Sequence, residues 1–187
     1  MNIINYFIIH FILNIFVWNS LKNVFALDLV IRNSEESLIS LTEFLRSNPI
    51  YEEGINIYFP DPYYSLGIHK IFVISATVES SMSFISLSQN MTIFDYGETT
   101  QSSLFFYFET EKIYSVKFYG FIFQNYSSEG TNIVSIHSPN DAYKVVFENC
   151  VFSNNIGTII HIHLDDILCI INDPDYYQVE FNNCIFK

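Results

Sequence analysis

An eight-residue template occurs three times in the C-terminal half of the chain and restricts the folds that the chain can adopt. Residues 116–123, 145–152 and 179–186 each read Val, any residue, Phe, any residue, a turn residue, an apolar residue, an aliphatic residue and Phe. A unit of this size cannot bury its own apolar face, so the copies must stack on one another. The alternating Val and Phe point into a shared core. The template therefore predicts a solenoid of stacked coils.

The fifth position of the template is Gly120, Asn149 or Asn183. Gly and Asn are the residues that most readily adopt left-handed backbone angles. We therefore expect a tight corner at this position in each coil, with the Asn149 and Asn183 amides stacked as a ladder.

Short strands and turns are predicted for most of the remaining chain. A helix is expected first, over residues 34–47, because leucines recur there at helical spacing; Asn33 would cap it, with Glu36 as the reciprocal partner. Apolar alternation and turn residues then predict strands at 55–59, 70–76, 82–87, 91–96 and 104–108.

Residues 147–155, Phe-Glu-Asn-Cys-Val-Phe-Ser-Asn-Asn, resemble the repeats of the pectin-lyase-like right-handed β-helix family, especially its non-enzymatic members. Residues 152–155 match the Phe-x-x-Asn element of polymorphic outer-membrane-protein repeats, whereas Gly-Thr-Ile-Ile at 157–160 replaces their Gly-Gly-Ala. The resemblance implies an all-β fold, a right-handed parallel β-helix whose N-terminal end is capped by the helix at 34–47.

The N-terminal segment has the pattern of an export signal. Residues 3–18 are almost continuously apolar, and Val24-Phe25-Ala26 provides small residues for a cleavage site after Ala26. We expect a signal peptide at 1–26 and a β-helix domain at 27–187 that is incomplete at its C-terminus. A secreted or cell-surface protein follows, and a membrane-anchored ectodomain is the alternative if residues 1–26 are retained. Asn90 and Asn125 begin glycan acceptor sequences.

The net charge and the missing catalytic motifs argue against two classes of function, nucleic acid binding and polysaccharide cleavage. The 187 residues carry 20 acidic and 8 basic side chains, a net charge of −12, which argues against a nucleic acid partner. Enzymes of the resembled family use catalytic basic residues, but the arginines here, Arg32 and Arg46, precede the predicted coils. Asp165 and Asp166 could divide acid and base roles, but the cationic partner that this chemistry needs is absent, so a solvated turn is the favoured interpretation and no catalytic residue is assigned.

A metal site and a disulfide are further candidates. His161 and His163 alternate with apolar residues, and aligning residues 134–137 with 160–163 places His137 beside His163 and near Asp165, as a divalent metal site requires. His-x-His on a strand is a weak pattern compared with a complete ligand set, so the sequence alone favours an ordinary polar face. Cys150 and Cys184 occupy equivalent template positions, where either a disulfide or a buried thiol ladder can form.

The sequence as a whole favours an exported, non-enzymatic surface or adhesive module that binds glycans or surface proteins and needs no cofactor. A divergent polysaccharide lyase or hydrolase is the alternative. Two tyrosine pairs, at 63–64 and 176–177, either stack on sugar rings or cover coil edges.

Overall fold

The structure is a computed structural model that describes residues 26–47, 50–66, 73–97, 103–165, 171, 173 and 175–187. These residues form one α-helix and three β-sheets in which every strand pairing is parallel. The predicted parallel β-helix is therefore confirmed.

Four complete coils each supply one strand to each sheet in turn, and β1, β14 and β15 come from partial coils at the two ends of the described solenoid. The six-stranded sheet contains, in spatial order, β1 (Leu27–Val30), β2 (Ile55–Phe59), β5 (Met82–Ser86), β8 (Tyr114–Tyr119), β11 (Tyr143–Glu148) and β14 (Val179–Asn182). The five-stranded sheet contains β3 (Tyr63–Ser65), β6 (Thr92–Asp95), β9 (Phe121–Gln124), β12 (Val151–Ser153) and β15 (Ile185–Phe186). The four-stranded sheet contains β4 (Val73–Thr77), β7 (Ser103–Tyr107), β10 (Ser127–Ser138) and β13 (Ile156–Leu164).

The three copies of the template lie in register, one above another. Phe118, Phe147 and Phe181 are strand partners, and their rings stack with centroids 5.0 and 5.1 Å apart. Phe123 and Phe152 stack in the same way at the other end of the template, 5.1 Å apart. Continuous rows of Phe therefore fill the interior, as the template predicts.

The corners also follow the template. Gly120, Asn149 and Asn183 have φ angles of 76°, 52° and 52°, so each lies in the left-handed region. A second corner uses Asn125 and Asn154, with φ of 58° and 54°. Asn tolerates this conformation better than other residues that carry a Cβ, which explains its use where successive coils turn.

The helix α1 (Glu35–Arg46) lies between β1 and β2 in the chain and packs against β4. Its buried leucines, Leu38, Leu41 and Leu45, belong to the same core as the strands. The predicted cap was wrong by one residue. Ser34 caps the helix, accepting from Ser37 N–H over 3.2 Å, whereas Asn33 N–H donates to Asp61 of the next coil over 2.8 Å.

Some sequence predictions fall where the structure gives no description. The predicted signal peptide lies almost wholly within 1–25, and part of the strand expected at 70–76 lies in 67–72, both outside the described residues. The other predicted strands are observed with ends shifted by one residue or less. Across the described ranges, no helix has the length and apolar character needed to span a bilayer.

Candidate functional site

Two histidines and an aspartate meet on the outer face of the four-stranded sheet. The parallel register of β10 and β13 sets His137 directly beside His163, as the sequence alignment anticipated. Asp165 follows β13 immediately, and its backbone N–H donates to the Ser138 carbonyl oxygen over 3.1 Å. Since adjacent parallel strands lie about 4.8 Å apart, this register brings side chains from two coils into contact.

The carboxylate of Asp165 contacts both imidazoles, one through each oxygen. His137 Nε2 lies 2.9 Å from Oδ2, and His163 Nε2 lies 3.4 Å from Oδ1. The two imidazole rings are 5.0 Å apart between centroids. All three side chains therefore direct their polar atoms to one small volume, and we call these three residues the His–Asp cluster.

The neighbouring coil supports the cluster from one side. Tyr107 on β7 is the strand partner of His137, and its ring centroid lies 5.3 Å from the imidazole. His137 is thus held between two rings on a central strand, with its side chain 31% exposed, whereas the side chains of His163 and Asp165 are 60% and 50% exposed. The cluster is open to solvent on the outer side.

The other candidate metal-binding and catalytic residues of this region are not part of the His–Asp cluster. His161 is exposed and is the strand partner of Ser135, so it lies on the same face but one row away. Asp166 is outside the described residues. In the described part of the chain, the side chains that contact the Asp165 carboxylate are the two histidines, whereas the enzyme hypothesis requires a lysine or arginine beside it.

Cys150 and Cys184 are free thiols in the structure. Cys150 is buried at the corner, and its thiol donates to the carbonyl oxygens of Glu148 and Phe118 over 3.4 and 3.6 Å. Burial raises the pKa of the Cys150 thiol to about 12. Because the thiolate is the reactive form, burial disfavours reactions of the Cys150 thiol in this arrangement.

The two glycan acceptor asparagines differ in their surroundings. Asn90 is exposed in the turn before β6. Asn125 is only partly exposed, and its side-chain amide donates to Asp95 Oδ1 over 3.0 Å. Burial works against ionisation of Asp95, but hydrogen bonds from Gln124, Gly97 and Asn125 give it a pKa below its ordinary value. The Asn125 amide therefore has a structural partner, an anionic carboxylate.

The tyrosine pairs singled out in the sequence are split between core and surface. Tyr64 is buried and donates its hydroxyl to the Ile31 carbonyl oxygen over 2.6 Å, while Tyr176 donates to the Tyr143 carbonyl oxygen over 2.7 Å. Tyr63 and Tyr177 are 41% and 61% exposed. One tyrosine of each pair therefore covers a coil edge, and the other faces solvent.

A row of apolar and aromatic side chains crosses the outer face of the six-stranded sheet, and the sequence reasoning missed it. Val30, Tyr58, Ile85 and Tyr119 are successive strand partners, and we call them the outer stripe. Val30 is 60% exposed and Tyr119 is 47% exposed. The outward position of each residue follows from strand alternation, but their alignment depends on register between coils.

Polar groups and shallow cavities border the outer stripe. The adjacent row contains Asn56, Ser83 and Lys117, again as strand partners. Two cavities of about 290 and 380 Å³ lie along this face and share Lys117, Val146 and Glu148 in their walls. Aromatic surface and hydrogen-bonding groups therefore lie side by side.

Comparison with protein-family models, with curated proteins and with solved structures finds no match for this chain.

Proposed function

We propose that the chain is an exported, non-enzymatic β-helix module of the cell surface that binds a neutral, extended glycan along the outer stripe. The observation that carries the proposal is the alignment of Tyr58, Ile85 and Tyr119 on consecutive coils. Parallel coils about 4.8 Å apart place the two tyrosines about 10 Å from each other, a separation that suits non-adjacent sugars of a linear chain.

The chemistry of the face supports a glycan. Tyrosine combines a flat apolar ring with a hydroxyl, and this combination matches the apolar and polar sides of a sugar. Asn56, Ser83 and Lys117 in the next row can hydrogen-bond to sugar hydroxyls. The net charge of −12 disfavours acidic polysaccharides, because like charges repel across the interface.

Replacing Tyr119 by Ala is expected to weaken binding of soluble cellulose or chitin oligosaccharides about tenfold, because one stacking contact is lost. Tyr58→Ala should have a similar effect, and isothermal titration calorimetry measures both. Ile156→Ala is the control, since Ile156 is also an exposed apolar residue but lies on the four-stranded sheet, away from the outer stripe.

Three results would contradict this proposal. They are absence of oligosaccharide binding by the unmodified protein, equal losses in the control variant, and cleavage of the oligosaccharide. The first would favour a protein partner for the face, and the third would favour the lyase or hydrolase alternative.

Export and family membership belong to the same proposal. The apolar segment at 3–18, followed by small residues before position 27, supports secretion. The β-solenoid is compatible with the pectin-lyase-like family, whose non-enzymatic members carry repeats that 147–155 resemble.

Expression of the full chain in a eukaryotic secretory host tests export. We expect protein in the medium that begins at Leu27 and carries a glycan on Asn90. Asn125 should stay unmodified, because a glycan on its amide nitrogen would crowd the hydrogen bond that this nitrogen donates to the partly buried Asp95. Intact mass, N-terminal sequencing and peptide mapping give the answer. A chain that retains Met1 in the membrane fraction, or a glycan mainly on Asn125, would contradict the expectation.

A further inference from the structure

We propose that His137, His163 and Asp165 form a binding site for a divalent transition metal ion of the zinc class. This site lies on the four-stranded sheet, so it is separate from the proposed glycan face on the six-stranded sheet. The inference rests on side-chain geometry and is independent of the glycan proposal.

The ligand atoms are already close to the arrangement that an ion needs. One ring nitrogen from each of His137 and His163 and one Asp165 carboxylate oxygen all lie within 4.8 Å of one another. Atoms bound about 2.1 Å from one tetrahedral ion are about 3.4 Å apart. His163 Nε2 lies 3.4 Å from Asp165 Oδ1, which meets this value, whereas His137 Nε2 lies 2.9 Å from the other oxygen, Oδ2. Binding of both imidazoles and one carboxylate oxygen to the same ion therefore requires a small rotation of the carboxylate.

The donor set selects the class of ion. Two imidazole nitrogens and one carboxylate suit zinc and its neighbours among the first-row transition metals. Calcium and magnesium prefer six or more oxygen ligands, counting water, and the cluster offers one carboxylate. Three protein ligands leave a fourth position for water or an external ligand, and the exposure of His163 places that position on the solvent side.

The fold arranges the ligands before any ion binds. His137 lies on the central strand β10 and packs against Tyr107, which restricts its ring. His163 lies on the paired strand β13, and the backbone of Asp165 is fixed to Ser138 by a hydrogen bond. An ion bound here would join β10 to β13, so it should also stabilise the edge strand β13 of the four-stranded sheet against unfolding.

Titration of the purified, metal-free protein with Zn²⁺ alone tests the site. We expect one ion per chain at the cluster, with binding weakened about tenfold or more in His137→Ala, His163→Ala and Asp165→Asn, because each removes a ligand. His161→Ala is the matched control, since His161 is exposed on the same strand and face but outside the cluster. It should bind Zn²⁺ within about twofold of the unmodified protein.

Two further measurements separate coordination from general loss of structure. Zn²⁺ should raise the melting temperature of the unmodified protein and of His161→Ala, but not that of His163→Ala. Nuclear magnetic resonance of ¹⁵N-histidine should show Zn²⁺ shifting the Nε2 signals of His137 and His163.

The proposal fails if Zn²⁺ does not bind, if binding survives in a His137→Ala/His163→Ala double variant, or if His161→Ala loses as much affinity as His163→Ala. It also fails if Ca²⁺ binds at Asp165 with an affinity that His163→Ala leaves unchanged, because the site would then be an oxygen site.

Discussion

Phe118→Ala is expected to lower the free energy of unfolding by about 3–5 kcal/mol, the range for removing a fully buried phenylalanine ring. The Phe118 ring stacks between Phe84 and Phe147, with centroids 4.8 and 5.0 Å away, and it contacts Phe121 and Phe123 at its edges. Neighbouring coils on both sides are held by strand pairing and cannot collapse into the cavity. Urea denaturation followed by far-ultraviolet circular dichroism measures the loss.

Phe181→Ala provides the matched control for this prediction. Phe181 belongs to the same row, but it stacks on Phe147 from one side only and is 40% exposed. Removing its ring should cost no more than about 2 kcal/mol, because less apolar surface leaves the core. If both variants lose the same free energy of unfolding, the contribution of each Phe in the row does not depend on how deeply its ring is buried, and the prediction is wrong.

The template predicted the interior of the C-terminal coils well, because it specifies both direction and register. Val and Phe at alternating positions fix which side chains point inward. The Gly or Asn at the fifth position then fixes the residue at which the chain leaves the six-stranded sheet and enters the five-stranded sheet. Three copies were enough to align Val116 with Val145 and Val179, and those residues are strand partners.

The helix cap could not be predicted from local sequence, because a residue from the next coil decides it. Asn33 and Ser34 are both good capping residues. The carboxylate of Asp61 accepts from Asn33 N–H over 2.8 Å and pairs with Arg32 over 3.0 Å, which fixes the chain before the helix and leaves Ser34 at the cap position. The hydrogen bond from Asn33 lowers the pKa of Asp61.

The sequence predicted the His–Asp cluster but not the outer stripe, and the difference again depends on contacts between coils. His137 and His163 lie beside the template repeats, so the alignment of the coils extended to them. Tyr58, Ile85 and Tyr119 come from coils that mostly lack the template, and the loops between them differ in length. Strand alternation identified the outward faces of these coils, but only the observed register shows that the outward residues form one row.

Two separate constraints act on Gly54, which lies at the corner immediately before β2. Gly54 has φ of +90°, a conformation that costs a residue with a Cβ about 1–2 kcal/mol. A Cβ at this position would also lie 2.6 Å from the backbone oxygen of Ser81. That oxygen accepts from Ile55 N–H over 2.8 Å, so moving it would disturb the pairing of β2 with β5.

Gly54→Ala is therefore expected to lower the free energy of unfolding by about 3 kcal/mol or more, the sum of backbone strain and overpacking. Gly97→Ala is the control, because Gly97 also has a positive φ, 59°, but is exposed. Gly97→Ala should lower the free energy of unfolding by the backbone strain alone, about 1–2 kcal/mol. Urea denaturation of both variants measures the difference, which isolates the contact with Ser81. Equal losses would mean that the coil relaxes around the added methyl group, and that the approach of Gly54 to the next coil is not what holds β2 and β5 in register.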